Sequence, residues 1–361
     1  MFADYLLQAL RAARRGFAAL LCCAAVAGTA NAAGCLDSTT LRGVNLSGAE
    51  FANTRLPGVM NKDYVYPMAA DLQYFRSSGM NVVRIPFLWE RIQRQPMVAL
   101  DPSELAALRR SVDLARSAGL CVLLDLHNFG SYFGQPLGSA GVPTAALTDV
   151  WLRLAGAFPD ADGVMLGLMN EPAAVNPAQW IPMAQATVLA LRKAGARQLI
   201  LVPSPRWSGA HEWATTFDGV SAAAAFVGFQ DPLGRYAIEL HQYADANYSG
   251  TSSECIDPDK LTALLERASA WARRAHVRFF MGEFGVASNE RCLRALRSML
   301  DGMQDPQSWL GWTYWSAGPW WGNYPFSIQP GNGPVAPQLE VLRTALRMPL
   351  QAAATQKASA P

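Results

Sequence analysis

The chain has 361 residues, with 30 Lys and Arg against 28 Asp and Glu and a formal charge of +2. So nearly neutral a chain carries no electrostatic footprint for nucleic acid or an anionic membrane. Its four histidines show no spacing that suggests a zinc site, and no glycine-rich phosphate loop follows an early strand, so neither a metal nor a cofactor is expected.

From the N terminus, Arg11, Arg14 and Arg15 precede "GFAALLCCAAVAG", an apolar run too short to span a bilayer, and "ANA" at 30 to 32 offers small residues to a signal peptidase. Residues 1 to 32 are therefore expected to be a signal peptide, and the product to be secreted. Loss of those three arginines together with Asp4 takes the charge from +2 to zero and leaves 329 residues. "RRGF" resembles the start of a twin-arginine signal, so the export route stays open. "AAGC" faintly resembles a lipoprotein box, but Ala stands at its first position rather than Leu. A periplasmic or lipid-anchored form stays open, while stable membrane association is not expected.

Export permits disulfides among the remaining Cys35, Cys121, Cys255 and Cys292. Cys121 sits inside the apolar "LCVLLDL" and reads as a buried small hydrophobe. Cys255 and Cys292 lie in polar, loop-like or helix-start sequence and are the preferred pair. Whether Cys35 or Cys121 is bonded is left open.

In chain order, β-rich runs are "LRGVNL" at 41, "NVVRIPF" at 81, "CVLLDLH" at 121, "VMLGLMN" at 164, "QLILVP" at 198, "YAIELHQY" at 236, "RFFMGEF" at 278 and "GWTYWS" at 311. Helical stretches intervene, among them "DPSELAALRRSVDLARSAG", "AQWIPMAQATVLALRKAG" and "PDKLTALLERASAWARRAH". The first and third open on Asp-Pro or Pro-Asp, and the first two close at Gly119 and Gly195, which suits helix starts and stops. Near-continuous apolar strands linked by helices imply a parallel sheet covered on both faces. Eight of them over about three hundred residues fit an α/β fold, the eightfold β/α (TIM) barrel, spanning 33 to 348. A doubly wound open sheet is the alternative. Residues 349 to 361 read as a disordered tail.

In nearly every run the polar residues fall at the C-terminal end: Arg84, then Asp125, His127 and Asn128, then Asn170 and Glu171, then Glu239, His241 and Tyr243, then Glu283, and Trp315 in the last. Singly, each has an ordinary explanation in packing or ion pairing. Together they point to a site, because buried charge is costly without partners and barrel strands aim their C-terminal ends at one mouth. Two strand-end acids, Glu171 and Glu283, are the equipment of glycoside hydrolysis. Arg84 would hold one of them ionised, while His241 and Tyr243 orient the pair. Trp320, Trp321, Asn323 and Tyr324 follow the last strand among Gly and Pro, where loop aromatics suit the apolar faces of sugar rings.

These stretches resemble glycoside hydrolase family 5, in its endo-β-1,4-glucanase (cellulase) branch within the clan of retaining barrel enzymes. The resemblance rests on "LRGVNLSGAEF", "NVVRIPFLWERIQ", "LLDLHN", "GLMNEP", "WSGAH", "ELHQY", "SGTSSEC", "GEFG" and "WTYWSAGPWWGNYPFSIQP", spread over residues 41 to 347. It implies that Glu171 is the acid/base and Glu283 the nucleophile. Arg84, His127, Asn128, Asn170, His241, Tyr243, Trp207, Trp315, Trp320 and Trp321 would bind substrate or support the pair. Asn170 would meet the sugar 2-hydroxyl. The resemblance also implies the Cys255–Cys292 bond. The expected partner is a β-1,4-linked glucan, and the enzyme is expected to be a monomer. Two departures, Ala173 where relatives commonly have His and "HQYADANY" beyond Tyr243, bear on cleft shape. A mannanase, xyloglucanase or mixed-linkage glucanase is the alternative within enzymes, and a non-catalytic carbohydrate-binding barrel the alternative outside them.

Overall fold

The structure is a computed structural model that describes residue 34 and residues 40 to 348. The expected signal peptide, Cys35 and the expected C-terminal tail lie outside the described residues. Eight parallel strands close into a barrel in which each is bonded to the next in sequence and the last returns to the first. They are β1 (Leu41–Leu46), β2 (Val82–Phe87), β3 (Cys121–Leu126), β4 (Val164–Gly167), β5 (Ile200–Pro203), β6 (Tyr236–His241), β7 (Phe279–Glu283) and β8 (Trp309–Ala317). All eight runs read from the sequence are barrel strands. The open-sheet alternative is excluded by closure.

Helices α1 (Ala69–Ser77), α2 (Pro102–Ser117), α3 (Thr144–Ala157), α4 (Pro177–Lys193), α5 (Pro258–Ala275), α6 (Glu290–Gly302) and α7 (Pro337–Arg347) follow every strand except β5. After β5 the crossover holds only one-turn helices and a two-stranded hairpin, Thr216–Phe217 with Val220–Ser221. The Asp-Pro signals act as expected. The Asp101 carboxylate accepts from the Ser103 and Glu104 amides at the start of α2, and that of Asp257 accepts from Asp259 at the start of α5.

Two apolar layers build the core. The larger lies between strands and helices, as the full burial of Trp151, Trp180 and Trp309 illustrates. The smaller, on alternate strand positions, comprises Leu41, Val82, Leu123, Met165, Leu201, Ala237, Phe280 and their neighbours. Two residues further along the same faces stand Arg84, Asp125 and Glu239. The period-2 alternation that fills the floor with hydrocarbon thus delivers charge to the level above it. Gly282 makes this possible on β7, since a Cβ there would lie 2.0 Å from the Glu239 carboxylate.

Two sequence readings are corrected. Cys121 is not merely a small apolar filler, because its sulfur is disulfide-bonded. And β4 ends at Gly167, three residues short of Asn170. Pro172 has no amide to continue a ladder, and Glu171 takes a left-handed φ of 38° that turns the chain away. The Asn170 amide still bonds the Leu126 carbonyl at 2.7 Å, so the turn remains tied to β3.

Cys255 and Cys292 are bonded, closing a segment of 37 residues between the loop after β6 and the start of α6. Loop-closure entropy for that length makes Cys255→Ser with Cys292→Ser cost about 2–4 kcal/mol. Urea unfolding of the double variant checks this and leaves the Cys121 bond in place. A midpoint unchanged from the parent would contradict it.

Candidate active site

At the C-terminal end of the barrel the Arg84 guanidinium, wholly buried, is the hub. Its Nη1 donates to Asn45 Oδ1 and Glu283 Oε1, both at 2.9 Å, and its Nη2 to Asn170 Oδ1 at 2.8 Å. It also pairs with Asp125 at 3.1 Å and with Glu239 at 3.0 Å. Arginine suits this position because its planar fork serves several acceptors and keeps its charge when buried.

Glu283 is held from three sides. Arg84 bonds Oε1, the Tyr243 hydroxyl donates to Oε2 at 2.7 Å, and His241 lies 3.7 Å away. Burial alone would raise its pKa, but the positive charges of His241, Arg84 and His127 outweigh burial and bring it below the usual carboxylate range. Thr313 and Asn45 both donate to the Gly282 carbonyl, at 2.6 and 2.9 Å, and so anchor the backbone beside it.

Glu171 has the opposite balance. Burial raises its pKa, and the negative Glu283 adds to the rise, against the bond from His241. One oxygen of Glu171 and one of Glu283 lie within 4.8 Å of each other. His241 Nδ1 meets Glu171 at 2.8 Å and Nε2 meets Glu239 at 3.3 Å. Burial disfavours charge on that ring, yet Glu283 and the bonds to Glu171 and Glu239 hold its pKa up to about 10. At neutral pH both of its ring nitrogens therefore donate. His127 is likewise raised despite burial, through Asp125, whose carboxylate it meets at 2.6 Å.

Among the described residues, Glu171, His241 and Glu283 form a group whose possible metal-ligating atoms lie within 4.8 Å of one another. A cation seated there would compete with the bond from Arg84 or Tyr243 to Glu283 and with the His241–Glu171 bond.

Trp315 is buried with its ring nearly parallel to that of His127, at 11° and 5.6 Å between centroids. Trp321 packs edge-on against Trp315 and stacks on Tyr324 at 4.5 Å. Trp207, 53% exposed, stands beside Phe129 and with Glu171 lines a cavity of about 360 Å³. Trp320 is 39% exposed and makes no ring contact among the described residues. Asn128 is turned elsewhere. Its amide oxygen accepts from the Trp89 backbone and its nitrogen donates to Glu90, both at 2.7 Å, so it fixes the turn after β2. The sequence reading also passed over Asn45 and Glu50. The signal available for Asn45 was the period-2 face of β1. Glu50 is buried, raised in pKa by burial, and bonded by Ser47 and Gly48.

A parallel β/α barrel with two differently tuned acids at its mouth, flanked by aromatic rings, is the architecture of a barrel glycoside hydrolase. The family model for cellulase (glycosyl hydrolase family 5) matches residues 40 to 319, and the chain belongs to that family. It is 34% identical over 307 residues to endo-beta-1,4-glucanase B of Aspergillus niger, covering 84% of this chain and 89% of that protein. The crystal structure of the endo-beta-1,4-glucanase Xac0029 from Xanthomonas axonopodis pv. citri is 44% identical, with a TM-score of 0.83 over 85% of this chain and 98% of that one. XacCel5A, solved in complex with cellopentaose, is 43% identical, with a TM-score of 0.83 over 85% of this chain and 99% of that one. Among the described residues no helix is long and apolar enough to cross a membrane.

Arg84→Ala would leave Asp125, Glu239 and Glu283 facing one another without their shared cation. At about pH 7 it is expected to cost roughly 3–5 kcal/mol of unfolding free energy. Glu283 has a lowered pKa in the folded protein, so its ionic contribution is present above its unfolded pKa and is lost as pH falls through the folded value. The gap between parent and variant should therefore narrow towards acid. Urea unfolding at both pH values checks the trend, and a gap that widened on acidification would refute it.

Proposed function

We propose that the protein is a secreted endo-β-1,4-glucanase that hydrolyses internal bonds of cellulose-type glucans with retention, Glu283 acting as nucleophile and Glu171 as acid/base. The observation that carries the reading is the pair itself: two carboxylates within 4.8 Å of one another, one shifted down in pKa and the other up. That spacing suits direct attack by one acid and leaves too little room for a water between them, which inversion would need.

The chemistry follows from the charges. Glu283, ionised, attacks the anomeric carbon while the Glu171 proton passes to the glycosidic oxygen, and the bond to the leaving sugar breaks. Once Glu283 is esterified its negative charge is gone, so the repulsion that raised the Glu171 pKa disappears. Glu171 then becomes the base that takes a proton from water attacking the same carbon, and Glu283 is released. The Nδ2 of Asn170 is buried without a partner, while Oδ1 of the same amide is pinned by Arg84. That free donor suits a sugar hydroxyl. Trp315 and Trp321 would pack against the ring faces, with Trp207 on the leaving-group side.

The substrate class rests on the relatives, which are endo-beta-1,4-glucanases, one of them solved with cellopentaose. Export rests on the basic and apolar pattern of residues 1 to 32 and on the disulfides. Product analysis on carboxymethyl-cellulose, mannan and xyloglucan side by side tests the specificity, and preferred release of reducing ends from either of the last two would overturn it.

Two variants test the roles. Glu283→Gln should nearly abolish turnover, since no glycosyl-enzyme can form. Glu171→Ala should still undergo the first step with a dinitrophenyl β-cellobioside, whose leaving group needs no proton, and then stall. Added azide should release a β-glycosyl azide from it. β-Azide from the Glu283 variant would mean that the roles are exchanged. In the parent, kcat/KM should fall in acid as Glu283 is protonated and in base as Glu171 loses its proton. Glu171→Ala should lose the alkaline limb on the activated substrate.

A further inference from the structure

Three carboxylates surround the His241 ring, and two of them change charge during the reaction proposed above. Glu171 meets Nδ1 at 2.8 Å, and Glu283 lies 3.7 Å from the same nitrogen. In the double displacement Glu171 gives up a proton and takes one back, while Glu283 becomes an ester and loses its charge. The third carboxylate, Glu239, meets the other ring nitrogen, Nε2, at 3.3 Å. It is wholly buried, pairs with Arg84 at 3.0 Å, and takes no part in bond making.

The fold makes room for this third acid. Glu239 stands two residues before His241 on β6, so both side chains leave the strand on one face. Gly282 on β7 leaves space for it, since a Cβ there would lie 2.0 Å from Glu239 Oε1. That oxygen serves the Arg84 guanidinium and the His241 ring together, while Oε2 is buried without a partner. Packing does not explain the arrangement, because a buried oxygen without a bond is costly and an apolar side chain of similar volume would avoid the cost. Nor does Arg84 explain it, having Asp125 and Glu283 as counter-ions already.

The need lies with the ring. A neutral imidazole has one N–H and one lone pair. With a carboxylate at each nitrogen it would turn that lone pair on one of them, so it keeps both protons. Against burial, Glu283 and the bonds to Glu171 and Glu239 hold its pKa up to about 10. If Nδ1 lost its proton, a lone pair would stand 2.8 Å from Glu171. An ionised Glu171 would be pushed out of place, and a protonated one would donate to the ring instead of to the glycosidic oxygen. Glu283 helps to hold the second proton in the free enzyme and cannot do so once esterified. Glu239 is the anion that serves the ring through both steps. The other charges around it are Arg84 of β2, behind Glu239 and Glu283, and on β3 Asp125, paired with Arg84, and His127, paired with Asp125. The Tyr243 hydroxyl is committed to Glu283.

We propose that Glu239 is a positioning residue for the reaction: acting through His241, it keeps an N–H donor aimed at Glu171 in both steps. This role rests on the reading of Glu171 as the acid/base. Glu239→Gln keeps the size of the side chain and an acceptor for Nε2 but removes the charge. An opposite charge within about 4–6 Å is worth about 1–3 in pKa, so the ring should lose its second proton at lower pH. The readout is kcat on dinitrophenyl β-cellobioside, whose first step needs no acid, so that hydrolysis of the glycosyl-enzyme sets the rate. Glu171 acts there as a base and is not impaired by alkali, and the alkaline fall of kcat therefore reports the ring. In Glu239→Gln that fall should begin about one pH unit lower or more, a loss of about tenfold on the limb, with KM little changed. Nitrogen NMR of the His241 ring should show its titration moved in the same direction. The same spectra decide the matter if Glu239→Gln misfolds: in the parent both ring nitrogens should stay protonated from about pH 6 to about pH 9. A parent ring that became neutral in that range would overturn the proposal. So would a loss of activity equal at every pH with the alkaline limb unmoved, which is what a purely structural residue produces. Glu171→Ala that hydrolysed its glycosyl-enzyme at the parental rate without azide would overturn the acid/base reading, and this role with it.

Discussion

One buried cation organises the barrel mouth. Arg84 is fully enclosed, and its five donors and single charge are shared among Asn45, Asp125, Asn170, Glu239 and Glu283, which belong to or follow five other strands. A guanidinium out of water is tolerable only with carboxylates around it, and the carboxylates are tolerable only with the guanidinium. Each strand must therefore keep its register for the cluster to remain neutralised. A one-residue slip of β3 would turn Asp125 towards the helices and Leu124 towards Arg84, removing an ion pair and placing hydrocarbon against charge. The cluster thus acts as a check on strand alignment as well as a support for the acids.

The same arrangement separates the two glutamates. Arg84 reaches Glu283 directly and has no bond to Glu171, while His241 lies between the two and hydrogen-bonds the latter. Burial raises both acids, but nearby positive charge outweighs it for Glu283 alone. Two residues of one chemical type become unlike because one sits beside the cation and the other beside a charged rival. Glu239 and Asp125 complete the logic at one remove: each fixes a histidine, His241 and His127 respectively, and so sets where positive charge lies around Glu283.

Much of this was legible in the sequence, and the reason is periodicity. Eight apolar runs with polar C-terminal ends announce both the barrel and its mouth, because strand direction and site location are linked in this fold. The two acids, Arg84, His241 and Tyr243 could be picked out as a set on that basis. What escaped was whatever depends on side-chain direction or on loop geometry. Asn128 shares a strand end with His127 but sits one position on, and parity turns it towards Glu90. Asn45 looked like an ordinary polar residue in a strand whose neighbours are apolar. Cys121 looked like core because its surroundings are hydrocarbon, and nothing in that run marks its sulfur as bonded. His211 and Tyr248 lie in separate loops with no common spacing, so nothing in either loop announces that their rings stack.

Loops and strands divide the site between them in a way that backbone geometry explains. Residues fixed by the barrel, such as Arg84, Glu239 and Glu283, have ordinary strand conformations and are located by ladder hydrogen bonds. Around the cleft, by contrast, Phe129, Glu171, Arg206, Ser208 and Tyr248 all take left-handed backbone conformations without being glycine. Each such residue costs of order 1–3 kcal/mol unless its surroundings compensate, and here the compensation is visible in the Asn170 tie to β3, the Arg206–Glu212 pair, the Ser208 bond to Ser204 and the Asp245 bonds to Ser249 and Gly250. Strands can aim side chains only along two faces at a fixed spacing. Bringing Glu171 across to its partner acid, and a tyrosine back over the cleft, requires turns sharper than strands allow. Left-handed turns occur in other loops as well, Asn61 and Asp218 among them, but at the cleft they supply the directions that the regular barrel beneath cannot.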